Sequence, residues 1–242
     1  MPPKQVSYQQ HYFLFDQDLL SQLNADSFAP GLYERQQRLT GKARGRGTTY
    51  FVELDLATGR QECVLRHYHR GGFVARFNKD RYQWIGLRYT RAWREWQLLN
   101  EMFQRKLPVP QPIAAHVQRH GLFYTADIIT LRVRHAESLA QRLQQAELNS
   151  EYWCDIGTVI KRFHTQGIYH ADLNAHNILL TKNNECYVID FDKGEKRQPN
   201  AQWQQSNLDR LLRSLKKLSG TVSPFYFNEN SWQELLQAYS SS

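Results

Sequence analysis

Cysteine is scarce in this chain of 242 residues, and the three present, Cys63, Cys154 and Cys186, are scattered without a Cys-x-x-Cys pair. That excludes a disulfide framework and a zinc signature, and leaves buried free thiols in a reducing compartment as the expectation. Thirteen glycines and eight prolines are too few for a low-complexity or linker-dominated chain. No apolar run approaches the roughly 20 residues that span a bilayer. The opening Met1-Pro2-Pro3-Lys4-Gln5 lacks the apolar core of a signal peptide, so a cytoplasmic protein is expected.

Aromatic bulk and positive charge are abundant. Thirteen tyrosines, twelve phenylalanines and six tryptophans, within a hydrophobic content of 41%, are enough to build a core. A net charge of +8 fits nucleic acid, an anionic membrane surface, a phosphorylated substrate or plain solubility. Arginines are dense between Arg66 and Arg94, but aromatics interrupt them and no recognised nucleic-acid motif accompanies them. A nucleic-acid partner is therefore not expected.

Residues 1–40 show no clear periodicity and read as an extension packed on a first lobe that reaches residue 130. Gly41, Gly45 and Gly47 form a glycine-rich loop that leads into a strand from Thr48 to Leu56. Turn residues from Asp55 to Gly59 and a strand from Glu62 to Tyr68 complete a hairpin. A long helix over Arg91 to Arg105 is free of glycine and proline and is stopped by Pro108, Pro110 and Pro112. Ile113 to Val117 and Leu122 to Ile129 read as a second hairpin, giving a five-stranded antiparallel lobe with one helix. Residues 131–242 read as a mainly helical second lobe. Its helices are Ala136 to Ala146, Glu151 to Gln166, Gln202 to Leu218 and Ser231 to Tyr239, and short strands are expected at Ile178 to Thr181 and Cys186 to Ile189.

Within the second lobe, His170-Ala171-Asp172-Leu173-Asn174-Ala175-His176-Asn177 has the His-x-Asp-x-x-x-x-Asn spacing of a kinase catalytic loop. An apolar strand and then Val188-Ile189-Asp190-Phe191 follow. Phosphoryl transfer needs one carboxylate beside the acceptor hydroxyl, plus a second carboxylate and an amide oxygen to hold magnesium against the nucleotide phosphates. Asp172 is the candidate base, and Asn177 and Asp190 are the candidate Mg²⁺ ligands; a hard cation takes oxygen donors and completes its shell with water and phosphate. Singly, each would be an ordinary turn residue. Jointly, bracketed by apolar segments, they point to ATP-dependent phosphoryl transfer. His170 fits a loop-organising role, and His176 reads as structural.

The glycines at 41, 45 and 47 would let backbone N–H groups approach nucleotide phosphates. Downstream, Cys63-Val64-Leu65-Arg66 stands where a kinase carries Val-Ala-Ile-Lys, so arginine replaces lysine, and Glu95 on the long helix is its candidate partner. Asp192 takes the place of the glycine in Asp-Phe-Gly.

These residues together resemble the 3-deoxy-D-manno-octulosonic acid (Kdo) kinases, within the lipopolysaccharide-core and RIO-like kinases of the protein-kinase-like fold. The resemblance rests on Gly41 to Thr49, on Leu65-Arg66-His67-Tyr68-His69-Arg70-Gly71-Gly72, on Leu107 to Pro112, on the loop from His170 to Asn177, and on Asp190-Phe191-Asp192-Lys193-Gly194. It implies a bilobal α+β fold, with Arg66 and Asp192 as usual features. It also implies transfer of the ATP γ-phosphate to the 4-hydroxyl of Kdo on a Kdo-lipid A precursor. The implied location is peripheral, on the cytoplasmic face of the inner membrane of a Gram-negative bacterium, with no protein partner. The basic stretch from Arg66 to Arg94, including Arg70, Arg76 and Arg81, would then meet lipid A phosphates and anionic lipids, at about 1 kcal/mol per basic residue near the surface. A heptose kinase of the same glycolipid core is the nearest alternative. A small protein kinase and an inactive glycolipid-binding scaffold are further ones; only about a dozen residues separate Asp190 from the next helix, which leaves little room for a peptide-docking segment.

Overall fold

The computed structural model describes residues 3–44, 48–69 and 80–241. Its contacts divide the chain into two compact units, Met1–Asn100 with Gln111–Arg132, and Glu101–Pro110 with Val133–Ser242.

In the first unit the chain runs through strands β1 (Lys4–Tyr8) and β2 (His11–Phe15), a short helix α1 (Pro30–Arg35), and strands β3 (Leu39–Arg44), β4 (Thr48–Leu56), β5 (Gly59–His67) and β6 (Tyr82–Gln83). Helix α2 (Arg91–Gln104) and strands β7 (Pro112–His120) and β8 (Phe123–Leu131) follow, the last turn of α2 belonging to the second unit. The strands form one antiparallel sheet in the order β1-β2-β7-β8-β5-β4-β3, with β6 also paired to β8. On its inner face Phe13, Phe15, Phe28, Val52, Leu54, Leu65, Ile113 and Ile129 pack as one cluster.

The α+β class and both expected hairpins are present, but among the described residues the sheet has eight strands instead of five. The extension expected over residues 1–40 supplies two of them. Strand β2 pairs with β7, from His11 opposite Gln118 to Phe15 opposite Ala114, so the N-terminal hairpin is part of the sheet and does not merely lie on it. Gly41 also departs from expectation: it sits within β3, opposite Phe51 of β4, and not in a loop. Gly45 and Gly47 lie outside the described residues, as do Arg70 and Arg76.

The second unit contains β9 (Ala136–Ser138), α3 (Leu139–Gln145), α4 (Ser150–Thr165), β10 (Ile168–Tyr169), β11 (Ile178–Thr181), β12 (Cys186–Val188), β13 (Glu195–Lys196), α5 (Ala201–Thr221) and α6 (Glu229–Ser241). The helix expected from Ala136 starts three residues later, because Ala136–Ser138 pairs with β11 as a strand. Ser138 then caps α3: its hydroxyl accepts from Gln141 N–H while the Gln141 side chain reaches back to the Ser138 N–H, which satisfies two otherwise orphaned donors. Helices α4 and α6 touch at Gly157, where a Cβ would stand 2.2 Å from the Leu235 carbonyl oxygen. After α4 the chain reverses at Gly167, whose φ of +71° and proximity to the Arg197 carbonyl both exclude a side chain. That reversal delivers β10 and, directly after it, the loop beginning at His170.

Of the three thiols, Cys63 and Cys186 are buried and Cys154 is only partly so; all are free. Burial pushes the Cys63 and Cys186 thiols up to about 12, which keeps them protonated and inert.

Candidate active site

Each unit carries one group of the expected site residues. In the second unit the loop from His170 to Asn177 is held from three directions. The His170 ring is fully enclosed, donating from Nε2 to the Ile189 carbonyl at 2.9 Å and accepting the Asp172 N–H at Nδ1 at 3.1 Å. These two partners fix one neutral tautomer, and burial, the leading cause, pulls the His170 pKa down in the same sense. His170 therefore ties the residue before Asp190 to Asp172 itself.

Asn207 on α5 holds the loop from behind. Its Oδ1 accepts the His170 N–H at 3.2 Å and its Nδ2 donates to the His170 carbonyl at 3.0 Å. One turn along, Arg210 faces Asp172, with Nη1 4.0 Å from Oδ1. A further turn on, Ser214 accepts the Ala175 N–H at 3.3 Å. Positions 207, 210 and 214 follow the i, i+3, i+7 spacing of one helix face, so α5 is matched to the loop along its length. Sequence reading missed these residues. Their only signal was a polar residue recurring beside the buried Leu208, Leu211 and Leu215.

Asp172 itself is left accessible, with 45% of its side chain exposed. Its carbonyl accepts from the side-chain amides of Asn177 at 2.9 Å and Asn174 at 3.0 Å. The buried Asn177 thus spends its N–H on the loop, and its Oδ1 has no hydrogen-bond partner among the described residues. The Asn177 carbonyl accepts the Ile189 N–H at 2.9 Å, which brings the end of β12 alongside. Next comes Asp190, exposed and in the left-handed region at φ 63°. Among non-glycine residues, aspartate and asparagine tolerate that region best. Asp192 is not among the residues with positive φ, so glycine's freedom is not required at the third position of Asp-Phe-Asp; Lys193, at φ 64°, takes the left-handed turn instead. The Phe191 ring packs edge-on to His170 with centroids 4.7 Å apart, completing the support. His176 is exposed, and its N–H donates to the Asn174 side chain.

Among the described residues no cluster of three or more His, Cys, Asp or Glu could hold a metal ion. What the second unit offers is an amide oxygen and an exposed carboxylate, the oxygen donors that Mg²⁺ accepts when water and phosphate complete its shell. The donor set fits magnesium bound with a nucleotide and does not fit a protein-only metal cage.

In the first unit, Arg66 on β5 donates from Nη2 to Oε1 of Glu95 on α2 at 2.5 Å. Glu95 is 4% exposed, and its other oxygen accepts the Tyr68 hydroxyl at 2.5 Å. The Arg66 guanidinium also lies over the Tyr68 ring, 4.8 Å from its centroid. The Arg91 guanidinium lies over both the Tyr68 and Tyr82 rings, 5.5 and 4.9 Å from their centroids, and donates to the Tyr82 hydroxyl at 2.6 Å. A buried carboxylate is tolerable only when its lone pairs are met, and here two different donors meet them. Glu101, the other acid on α2, pairs instead with Lys196 at 2.6 Å in the second unit. About a quarter of the Arg66 side chain remains exposed, so the guanidinium can still meet an anion from solvent. Tyr68 was not singled out from the sequence; a tyrosine two residues beyond an arginine on a strand gives no sign that it will share that arginine's partner.

Comparison with known proteins places these features in one family. Residues 32–239 match the model of the lipopolysaccharide kinase (Kdo/WaaP) family. A protein named 3-deoxy-D-manno-octulosonic acid kinase from Haemophilus influenzae (strain PittEE) is 40% identical over 98% of this chain and 99% of its own. Proteins of the same name from Mannheimia succiniciproducens and Stenotrophomonas maltophilia are 41% and 43% identical, covering 97% and 87% of this chain and 98% and 82% of their own. With a match reaching from α1 into α6 and relatives aligned almost end to end, this protein belongs to the lipopolysaccharide kinase (Kdo/WaaP) family, and its α+β architecture is that family's kinase-like fold.

Proposed function

We propose that this protein transfers the γ-phosphate of ATP to the 4-hydroxyl of a Kdo residue on a Kdo-lipid A precursor. The observation that carries the reading is the second unit's loop, in which His170 and Asn207 hold an accessible Asp172 next to two oxygen donors suited to magnesium. The names of the relatives supply the acceptor.

Asp172 orients the acceptor hydroxyl and takes its proton as the new oxygen–phosphorus bond forms. The bond from the γ-phosphorus to the bridging oxygen breaks, and its electron pair leaves with ADP. Asn177 and Asp190 would hold Mg²⁺, which would supply positive charge to offset that of the phosphate oxygens. Arg66, fixed by Glu95 and Tyr68, presents a permanent positive charge to the nucleotide phosphates.

A peripheral position at an anionic membrane completes the reading. No helix of the described residues is long and apolar enough to cross a membrane. In the first unit, however, Ile85 and Leu122 are 66% and 74% exposed. The Trp84 backbone N–H donates to the Leu122 carbonyl, and the Arg119 guanidinium lies 5.1 Å from the Trp84 ring centroid. Apolar side chains beside arginine suit a bilayer surface with negative headgroups. Sedimentation with phosphatidylglycerol vesicles but not phosphatidylcholine vesicles is expected, and Ile85→Glu with Leu122→Glu should abolish it; equal binding to both vesicles rejects the assignment.

The acceptor is tested by incubating the protein with ATP, Mg²⁺ and Kdo-lipid A precursor and fragmenting the product in a mass spectrometer. Phosphate at the 4-position of Kdo is expected. Phosphate only on a heptose of an extended core would replace the Kdo reading with that of a heptose kinase.

A further inference from the structure

Asn207 and Ser214 have evident tasks on the face of α5 that meets the catalytic loop, since both satisfy loop backbone groups. Arg210 lies between them and does not. Its nearest acidic neighbour, Asp172, is 4.0 Å away, beyond hydrogen-bond range. Its Nε is buried and has no hydrogen-bond partner among the described residues, although 40% of the side chain as a whole remains open. An arginine present only to pair with Asp172 would fork onto it through two donors. An arginine present only for solubility would keep its Nε in water. A permanently charged guanidinium that is 40% open, stands beside the candidate base and makes no hydrogen bond to it is placed to take an anionic ligand through its outer nitrogens.

The acceptor's chemistry supplies one. The relatives' substrate is an acid by name: an octulosonic acid carries its carboxyl at C1 and its keto carbon at C2, and a 3-deoxy sugar has a bare methylene at C3. The first hydroxyl on the ring is therefore at C4, separated from the carboxylate-bearing carbon by that single methylene. With the 4-hydroxyl at Asp172, the carboxylate must lie within a few ångströms of the same side chain, which is where Arg210 stands.

We propose that Arg210 binds the C1 carboxylate of the acceptor sugar and so selects an acidic sugar over a neutral one. The inference rests on the Kdo-kinase reading above. Arginine suits the task, because its planar guanidinium meets both carboxylate oxygens in a fixed fork, whereas an ammonium is a point charge without that geometry. A neutral heptose has nothing to offer the same group.

The test compares Kdo-lipid A precursor with its Kdo C1 methyl ester, which is uncharged at that position. Wild type, Arg210→Gln and Arg210→Lys are each assayed for kcat and for the KM of acceptor and ATP. Wild type should favour the acid, and Arg210→Gln should raise the acceptor KM for the acid by about 10- to 100-fold, as expected for a lost hydrogen bond to a charged group. The KM for ATP should hold, Arg210→Lys should recover part of the loss, and the ester should show no further loss in Arg210→Gln. An equal penalty on acid and ester would mean that Arg210 acts only through Asp172 or the fold, and overturns the proposal. If Arg210→Gln does not fold, the wild-type comparison decides, because equal kcat/KM for acid and ester is incompatible with carboxylate recognition. Failure of the wild type to phosphorylate the acid sinks the Kdo reading and this inference together; success with the acid but no preference over the ester sinks this inference alone.

Discussion

The charged groups of the two units are built on opposite plans. In the first, Glu95 is sealed in protein and both of its oxygens are occupied by Arg66 and Tyr68, so its charge is part of the packing. In the second, Asp172 and Asp190 keep their carboxylates accessible, and the order is placed in the backbone beneath them through His170, Asn177 and Asn207. A group that must only stay put can be buried and saturated. A group that must exchange a proton or a metal ligand has to be held by its neighbours and left open.

Substitutions should separate these plans, function falling without stability in one and stability falling in the other. The largest effect is expected for Asp172→Asn, which should lower kcat by about 100- to 10,000-fold, equivalent to about 3–5 kcal/mol of barrier. Its urea midpoint and ATP affinity should remain near wild type; a large loss of stability would show that Asp172 belongs to the buried plan after all. Glu95→Ala should instead unfold readily, losing about 3–4 kcal/mol in urea titration, because it strands Arg66 and Tyr68 and empties a packed site.

Acid supplies the next test. Burial, the leading cause, depresses the His164 pKa from 6.5 to about 4, and His170 is shifted in the same direction. Both rings are neutral when folded, so the unfolded chain binds the extra protons. Stability from His164 is complete above about pH 6.5 and is lost as pH falls towards 4, amounting to about 3 kcal/mol. Urea midpoints at pH 7 and 4.5 should show this, and His164→Asn should flatten the difference. An equal slope in the variant would assign the acid sensitivity elsewhere. The smallest effect is expected for Tyr68→Phe, which deprives one buried oxygen of Glu95 of its donor at a cost of about 1.5 kcal/mol. Nucleotide affinity should fall with it if Tyr68 sets the position of Arg66.

Much of this was legible from the sequence where the local pattern was strong. Strand β4 was readable to the residue because its β-formers alternate between turn residues, and α2 to within one residue because three prolines lie just beyond its end. The N-terminal hairpin was not, since all five residues of β1 are exposed and β2 shows no alternation in burial. Three-residue β9 is too short to display a period at all. In the candidate site, spacing located Asp172, Asn177 and Asp190 because they lie close together in the chain. Asn207 and Arg210 are legible only once α5 is laid against the loop, since a polar residue on a helix looks the same whether it faces water or a neighbour.

The left-handed backbone at Asp190 narrows the routes by which this position could change over evolution. A glutamate would preserve the charge and a longer reach towards a cation, yet it tolerates φ of 63° poorly. Asparagine would keep the backbone comfortable and surrender the charge. Conformational and chemical selection therefore converge on one residue type, and a lineage that loses aspartate here has no conservative neighbour to drift through on its way back.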